Sequence, residues 1–211
     1  MDALRAPLSA ALCKENGTAM REKHPDIDLI YATIGRFAVE FEQISHTMES
    51  GVRCILALEG LQNERVQEIL LSGLTAEPLS ALFRSLCSEH LKPNVTEAKI
   101  IKQVFSKLQH VISARNDLLH SKWFLALREE DDGCQAVAFG SKLHKNSRGA
   151  ATKLFEYNST NFQELYEQSQ VSLWNVAKLV NCISGGYPLE QNFEINDQGE
   201  YEAIRGLCKK A

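Results

Sequence analysis

From Ile27 to about Leu58 the apolar residues Ile30, Ile34, Phe37, Phe41, Ile44, Met48, Val52 and Ile55 recur at intervals of three or four. That is the period of one helix face, and it predicts a single long amphipathic helix. Such a helix must bury its stripe against partners of the same kind, which points to a helical bundle. Pro25 breaks the chain before it and Asp26 can cap it. Gly35 and Gly51 each weaken it by about 1 kcal/mol relative to Ala, so a bend is allowed for near either.

Further helices follow. "LQNERVQEILLSG" predicts a short one closed by Gly73, and "TAEPLSALFRSLCSEH" another with Pro78 in its first turn. After the break "KPNVTEAK", Thr96 is the expected N-cap of a helix from Glu97 whose stripe runs Ile101, Val104, Leu108, Val111 or Ile112, Arg115 and Leu119. Past Trp123 the period shortens to that of strands. "KWFLALREEDDGCQAVAFGSKLH" reads as a hairpin turning at Asp131-Asp132-Gly133, and "GAATKLFEYN" as a third strand after the polar loop "KLHKNSRG". A last long helix is capped by Asn158, Ser159 or Thr160 and carries Phe162, Leu165, Tyr166, Val171 or Leu173, Trp174, Ala177, Leu179 and Ile183 up to Gly185-Gly186. The expected architecture is mainly α: a four-helix-type, up-and-down bundle over 26–187, with a small β-hairpin or three-strand insert at about 122–157 between the third and last main helices. An N-terminal extension over 1–25 and a polar tail over 188–211 flank it.

The composition excludes several classes. Of 211 residues 44% are hydrophobic and 24% charged, an ordinary globular balance. A formal charge of −4 and a pI near 5.9 mean that any polyanion site must be local. The six cysteines stand singly, without CxxC or zinc-like Cys-His spacing, so they read as buried thiols of a reducing compartment, with no metal or other cofactor. No apolar run is long enough to span a membrane and the N-terminus resembles no signal peptide, so a cytoplasmic protein with no membrane partner is expected.

One stretch carries chemistry. In "SARNDLLHSKWF" the side chains of Asn116 and His120, four apart on a helix, share a face, and Arg115 lies about 140° round the axis from His120. Arg115 also falls in line with the apolar stripe, where a cation is costly unless it is paired or faces a cleft, such as one formed with a second copy. From 92 to 128 there are seven basic residues against two acids, and Lys142, Lys145, Arg148 and Lys153 follow without an acid among them. Positive charge is therefore gathered around and just after the motif. The plainer alternatives are cations favoured by a helix C-terminus, a solvated hairpin loop at 141–153, core roles for Trp123 and Trp174, and hydrogen-bonded structural roles for His46 and His110.

These residues resemble the Arg-x4-His motif of the HEPN family, with Arg115, Asn116 and His120 in the motif positions near the end of a bundle helix. The resemblance covers roughly 26–184, the strands being a variation on the family core. It implies an all-helical bundle that dimerises so that two motifs face each other, and in many members a metal-independent endoribonuclease of toxin-antitoxin or defence systems. Carried over, it makes Arg115 the phosphate ligand, Asn116 a positioning residue and His120 the acid-base group. RNA is the expected substrate because its 2′-OH can attack the adjacent phosphate. Lys122, Lys142, Lys145 and Arg148 are the expected RNA-binding residues, and a homodimer and an antitoxin protein the expected partners. The alternatives are a non-catalytic module of the same fold that binds nucleotide, RNA or protein, and a helical adaptor that uses the stripe only for association.

Overall fold

A computed structural model describes residues 25–130, 133–146 and 149–210. Among them the chain is mainly helical with a small antiparallel sheet. The helices are α1 (Pro25–Leu58), α2 (Glu64–Leu71), α3 (Ala76–Leu91), α4 (Val95–Leu119) and α5 (Ser159–Gly185). Between α4 and α5 lie β1 (Lys122–Glu130), β2 (Gly133–Asn146) and β3 (Gly149–Asn158), in the sheet order β1-β2-β3. After α5 come a 3-10 turn (Leu189–Gln191) and a two-stranded hairpin of β4 (Phe193–Ile195) and β5 (Tyr201–Ala203). The N-terminal extension short of Pro25, the turn residues Asp131 and Asp132, and Arg148 lie outside the described residues.

Asparagine starts three of the helices. Asn63 Oδ1 accepts the N–H groups of Arg65 and Val66. Asn94 Oδ1 accepts those of Thr96 and Glu97, while Glu97 Oε2 accepts the Asn94 N–H, so the capping box belongs to Asn94 and the expected cap at Thr96 is displaced by two residues. Asn158 and Asn161 exchange the same pair of bonds, N–H to Oδ1 each way, at the start of α5. Each box satisfies donors that a helix start would otherwise leave open.

The chain divides into two compact units, Met1–Phe37 with Asn116–Tyr166, and Ala38–Arg115 with Glu167–Ala211; α1, α4 and α5 run on from one into the other. In the second unit Phe41, Ile44, Met48, Val52, Ile55, Phe83, Leu108, Ile112 and Leu179 are buried. Gly51 shows how closely these helices approach: a Cβ there would lie 2.6 Å from the Phe83 ring and 2.8 Å from Val180. Its role is close packing, and α1 continues through it. Phe83 meets Phe105 edge to face at 5.5 Å. On α1 the buried stripe takes Thr33 rather than the expected Ile34, which is only half-buried.

The C-terminal segment is more built than its polar sequence suggests. Ala203 gives its N–H to Asn175 Oδ1 at 2.9 Å and accepts Trp174 Nε1 at 3.1 Å. Tyr201 N–H bonds Gln103 Oε1 at 2.7 Å, and Glu200 pairs with Lys107 at 2.9 Å. Side chains of α4 and α5 thus occupy the free edge of β5, which would otherwise expose unpaired backbone groups. The bond to Asn175, and one from Lys178 Nζ to Gly206 O at 2.8 Å, explain why the buried face of α5 includes Asn175 and Lys178, while Trp174 is 40% exposed rather than core.

In the first unit the sheet register puts Trp123 opposite Gly140 and Gly140 opposite Phe155. The Trp123 ring lies over Gly140, where a Cβ would come within 2.8 Å of it. Phe155, Tyr157 and Phe162 complete an aromatic cluster around that ring, with centroids 5.7 to 6.1 Å from it. Strand pairing continues to Asn146 opposite Gly149, so Lys145 and Asn146, expected in the loop, belong to β2.

Candidate functional site

The end of α4 has no glycine cap, yet the carbonyls of Asn116, Asp117 and Leu118 are satisfied. Asn116 O accepts the His120 N–H at 3.2 Å and Lys142 Nζ at 3.1 Å. Asp117 O accepts Ser121 Oγ at 2.5 Å, and Leu118 O accepts Trp123 Nε1 at 2.6 Å. Three side chains from the residues that follow therefore do the work of a C-cap, and the Lys142 ammonium sits where the helix dipole favours a cation. The "SK-W" that follows the motif is thereby a structural element of the helix end.

Asp117 organises the cations. Its Oδ1 lies 2.9 Å from Lys142 Nζ and its Oδ2 2.7 Å from Lys153 Nζ. Lys142 and Lys153 are register partners across β2 and β3. Two like charges directly opposite one another destabilise a sheet, and one carboxylate reaching both removes that conflict. Burial pushes the Asp117 carboxyl up, but the hydrogen bonds from Lys153 and Lys142 outweigh it and hold the group below the ordinary carboxylate range. The half-buried Tyr157 phenol is pushed up by burial and by the charge of Asp117.

The motif residues meet different surroundings along the one helix. Arg115 is half-buried, its guanidinium 5.3 Å above the Phe41 ring, which agrees with its place on the apolar stripe. Asn116 is half-buried, and His120 is exposed at the tip. Leu118 continues the buried stripe instead of the expected Leu119, which is exposed.

Of the expected RNA-binding residues, Lys122 is exposed. Lys142 keeps 18% of its side chain exposed, and its ammonium is engaged with Asp117 and Asn116 O. Lys145 is a strand residue paired with Ala150 whose side chain lies outside the described residues, as Arg148 does entirely. His46 and His110 are both exposed. His46 lines an open groove of about 530 Å³ with Val39, Glu42, Gln43, Thr47 and Leu173. Among the described residues no cluster of three or more His, Cys, Asp or Glu side chains could hold a metal ion, and no helix is long and apolar enough to cross a membrane.

Sequence reasoning counted Asp117 only as one of two acids in a basic stretch. Its partnership with Lys142 and Lys153 depends on strand register more than twenty residues away, and no local signal marks it.

Compared with protein-family models, curated proteins and solved structures, the chain matches none of them.

Proposed function

We propose that this protein is a metal-independent endoribonuclease of HEPN type, a cytoplasmic helical bundle that acts as a homodimer on RNA. Arg115 serves as the phosphate ligand, Asn116 as the positioning residue and His120 as the acid-base group. The observation that carries this is the state of His120: it stands exposed at the tip of the helix that bears the other two, with its backbone tied to Asn116 and its ring open to solvent. An imidazole can take the proton of the 2′-OH or give one to the leaving 5′-oxygen, typically contributing about 10²- to 10⁴-fold. A guanidinium held over an aromatic ring carries a fork of donors for the phosphate oxygens, on which negative charge builds in the transition state. The resemblance of the motif, near the end of a helix, to that of HEPN proteins supports the dimer, in which two copies of the motif would share one cleft.

A second reading, a non-catalytic module that binds RNA, nucleotide or a protein such as an antitoxin, is favoured by Asp117. That residue holds Lys142 and Lys153, two cations close to the motif, and leaves fewer charges for a polyanion.

Incubation of the purified protein with a panel of structured and unstructured RNAs in EDTA separates the two. Cleavage that falls at least about 10²-fold in His120→Ala, with the dimer retained in solution, is the expected result. Retention of RNA without any cleavage would establish the binding module instead.

A further inference from the structure

Cys182 lies on α5 one turn beyond Lys178, and its sulfur is 4.0 Å from that of Cys208. The approach is built rather than incidental. Lys178 Nζ donates to Gly206 O at 2.8 Å. Asn192 brackets Lys209, accepting its N–H at 2.8 Å and donating to its carbonyl at 3.2 Å. Cys208 therefore sits between two anchored backbone positions that aim it at α5. Cys182 is buried and Cys208 half-buried, so the pair has one sheltered member and one open to a small reagent.

We propose that Cys182 and Cys208 form a dithiol modification site, which a low-molecular-weight disulfide such as oxidised glutathione converts into an intramolecular disulfide that fastens the C-terminal segment to α5. The site is independent of the motif on α4 and of the activity proposed for it. A disulfide needs its sulfurs about 2 Å apart. Cys208 lies in a stretch without regular structure, where rotation of its side chain can supply the approach.

The chemistry balances. The Cys208 thiolate attacks one sulfur of the reagent, breaking its S–S bond and expelling one glutathione thiolate, which takes up the proton that Cys208 lost. Cys182 Sγ then attacks Cys208 Sγ in the mixed disulfide and releases the second glutathione, which takes up the proton of Cys182. Two protein thiols are oxidised by two electrons and one small disulfide is reduced to two thiols. Cys208 is the more exposed of the two, so the first encounter falls to it, while burial pushes the Cys182 thiol up.

The test is exposure of the full chain to oxidised glutathione, followed by non-reducing digestion and mass spectrometry. The expected product is a peptide joining Cys182 to Cys208, reversed by dithiothreitol and absent in Cys208→Ser. Closing a loop across 26 residues raises the melting temperature by roughly 5–10 °C. Cys182→Ser should instead stop at a glutathione adduct on Cys208; if that buried substitution prevents folding, Cys208→Ser alone carries the comparison. A stable adduct on Cys208 in the unaltered protein, or a cross-link from Cys208 to another cysteine, would overturn the assignment.

Discussion

Lys142 reaches Asp117 across the junction between a helix end and a sheet, its Nζ 2.9 Å from Oδ1, and the same ammonium also caps Asn116 O. Lys153, its register partner, takes the other carboxylate oxygen. Asp117 is thus an anion that lets two lysines face each other. Asp117→Asn keeps the shape of the side chain and removes its charge, and should cost about 1–3 kcal/mol in urea unfolding because a partly buried hydrogen-bonded charge pair is broken from one side. Lys153→Met, at a residue half open to water, should cost less than about 1 kcal/mol. Equal costs for the two substitutions would contradict the arrangement.

The same carboxylate sets an acid limit. Its pKa in the folded protein is depressed below the unfolded value of about 3.9, so the stabilisation it brings is complete above that value and is lost as pH falls through the lower, folded one. A plot of unfolding free energy against pH should descend through this window in the unaltered protein, and Asp117→Asn should flatten that part of the descent.

Gly35 and Gly51 occupy one helix and should respond in opposite directions. A Cβ at Gly35 meets nothing within 4 Å, so Gly35→Ala should stabilise by about 0.5–1 kcal/mol through helix propensity alone. At Gly51 the added methyl would overlap the Phe83 ring and Val180, and Gly51→Ala should destabilise by about 1–3 kcal/mol. Thermal melts of the two single variants decide the matter.

Trp123 contributes a ring and a donor that can be separated. Trp123→Phe keeps an aromatic side chain over Gly140 but leaves Leu118 O without its 2.6 Å bond, for an expected loss of about 1 kcal/mol from the donor. Trp123→Ala also removes the packing against Phe155, Tyr157 and Phe162 and should cost about 3–5 kcal/mol. Denaturant unfolding of both variants gives the difference.

Arg115→Lys tests the proposed ribonuclease without emptying the position. The charge over Phe41 remains while the fork of donors is lost, so kcat/KM on a defined RNA should fall by about 10²-fold. The melting temperature should change by only a few degrees, since a stacked cation is worth about 0.5–2 kcal/mol. Unchanged turnover would show that the guanidinium does not hold the phosphate.

The helices and strands were legible wherever the period was long and unambiguous. The stripe Phe37, Phe41, Ile44, Met48, Val52 and Ile55 is buried as its spacing requires, and β1 and β3 fall close to the expected segments. Helix caps were harder, because Asn94 and Thr96 are both competent and only the reciprocal bond from Glu97 chooses between them. The extension of β2 through Lys142–Asn146 runs against its polar composition, since pairing with β3 and the ion pair to Asp117 outweigh local preference. On α5 the polar residues Asn175 and Lys178 broke the expected apolar pattern because their partners lie almost thirty residues later. At the motif, the half-burial of Arg115 followed from its spacing, whereas the exposure of His120 and the engagement of Lys142 came only with the three-dimensional arrangement.

The hairpin that covers α5 has a practical bearing on how this protein can be cut. Ending the chain at Tyr187 would strip Asn175 and Trp174 of the Ala203 backbone, and would leave the Lys178 ammonium, 3% exposed, without the carbonyl of Gly206. A fragment trimmed to end with α5 would therefore uncover an ammonium and an amide in the midst of an apolar surface, and with them a place for copies to stick to one another.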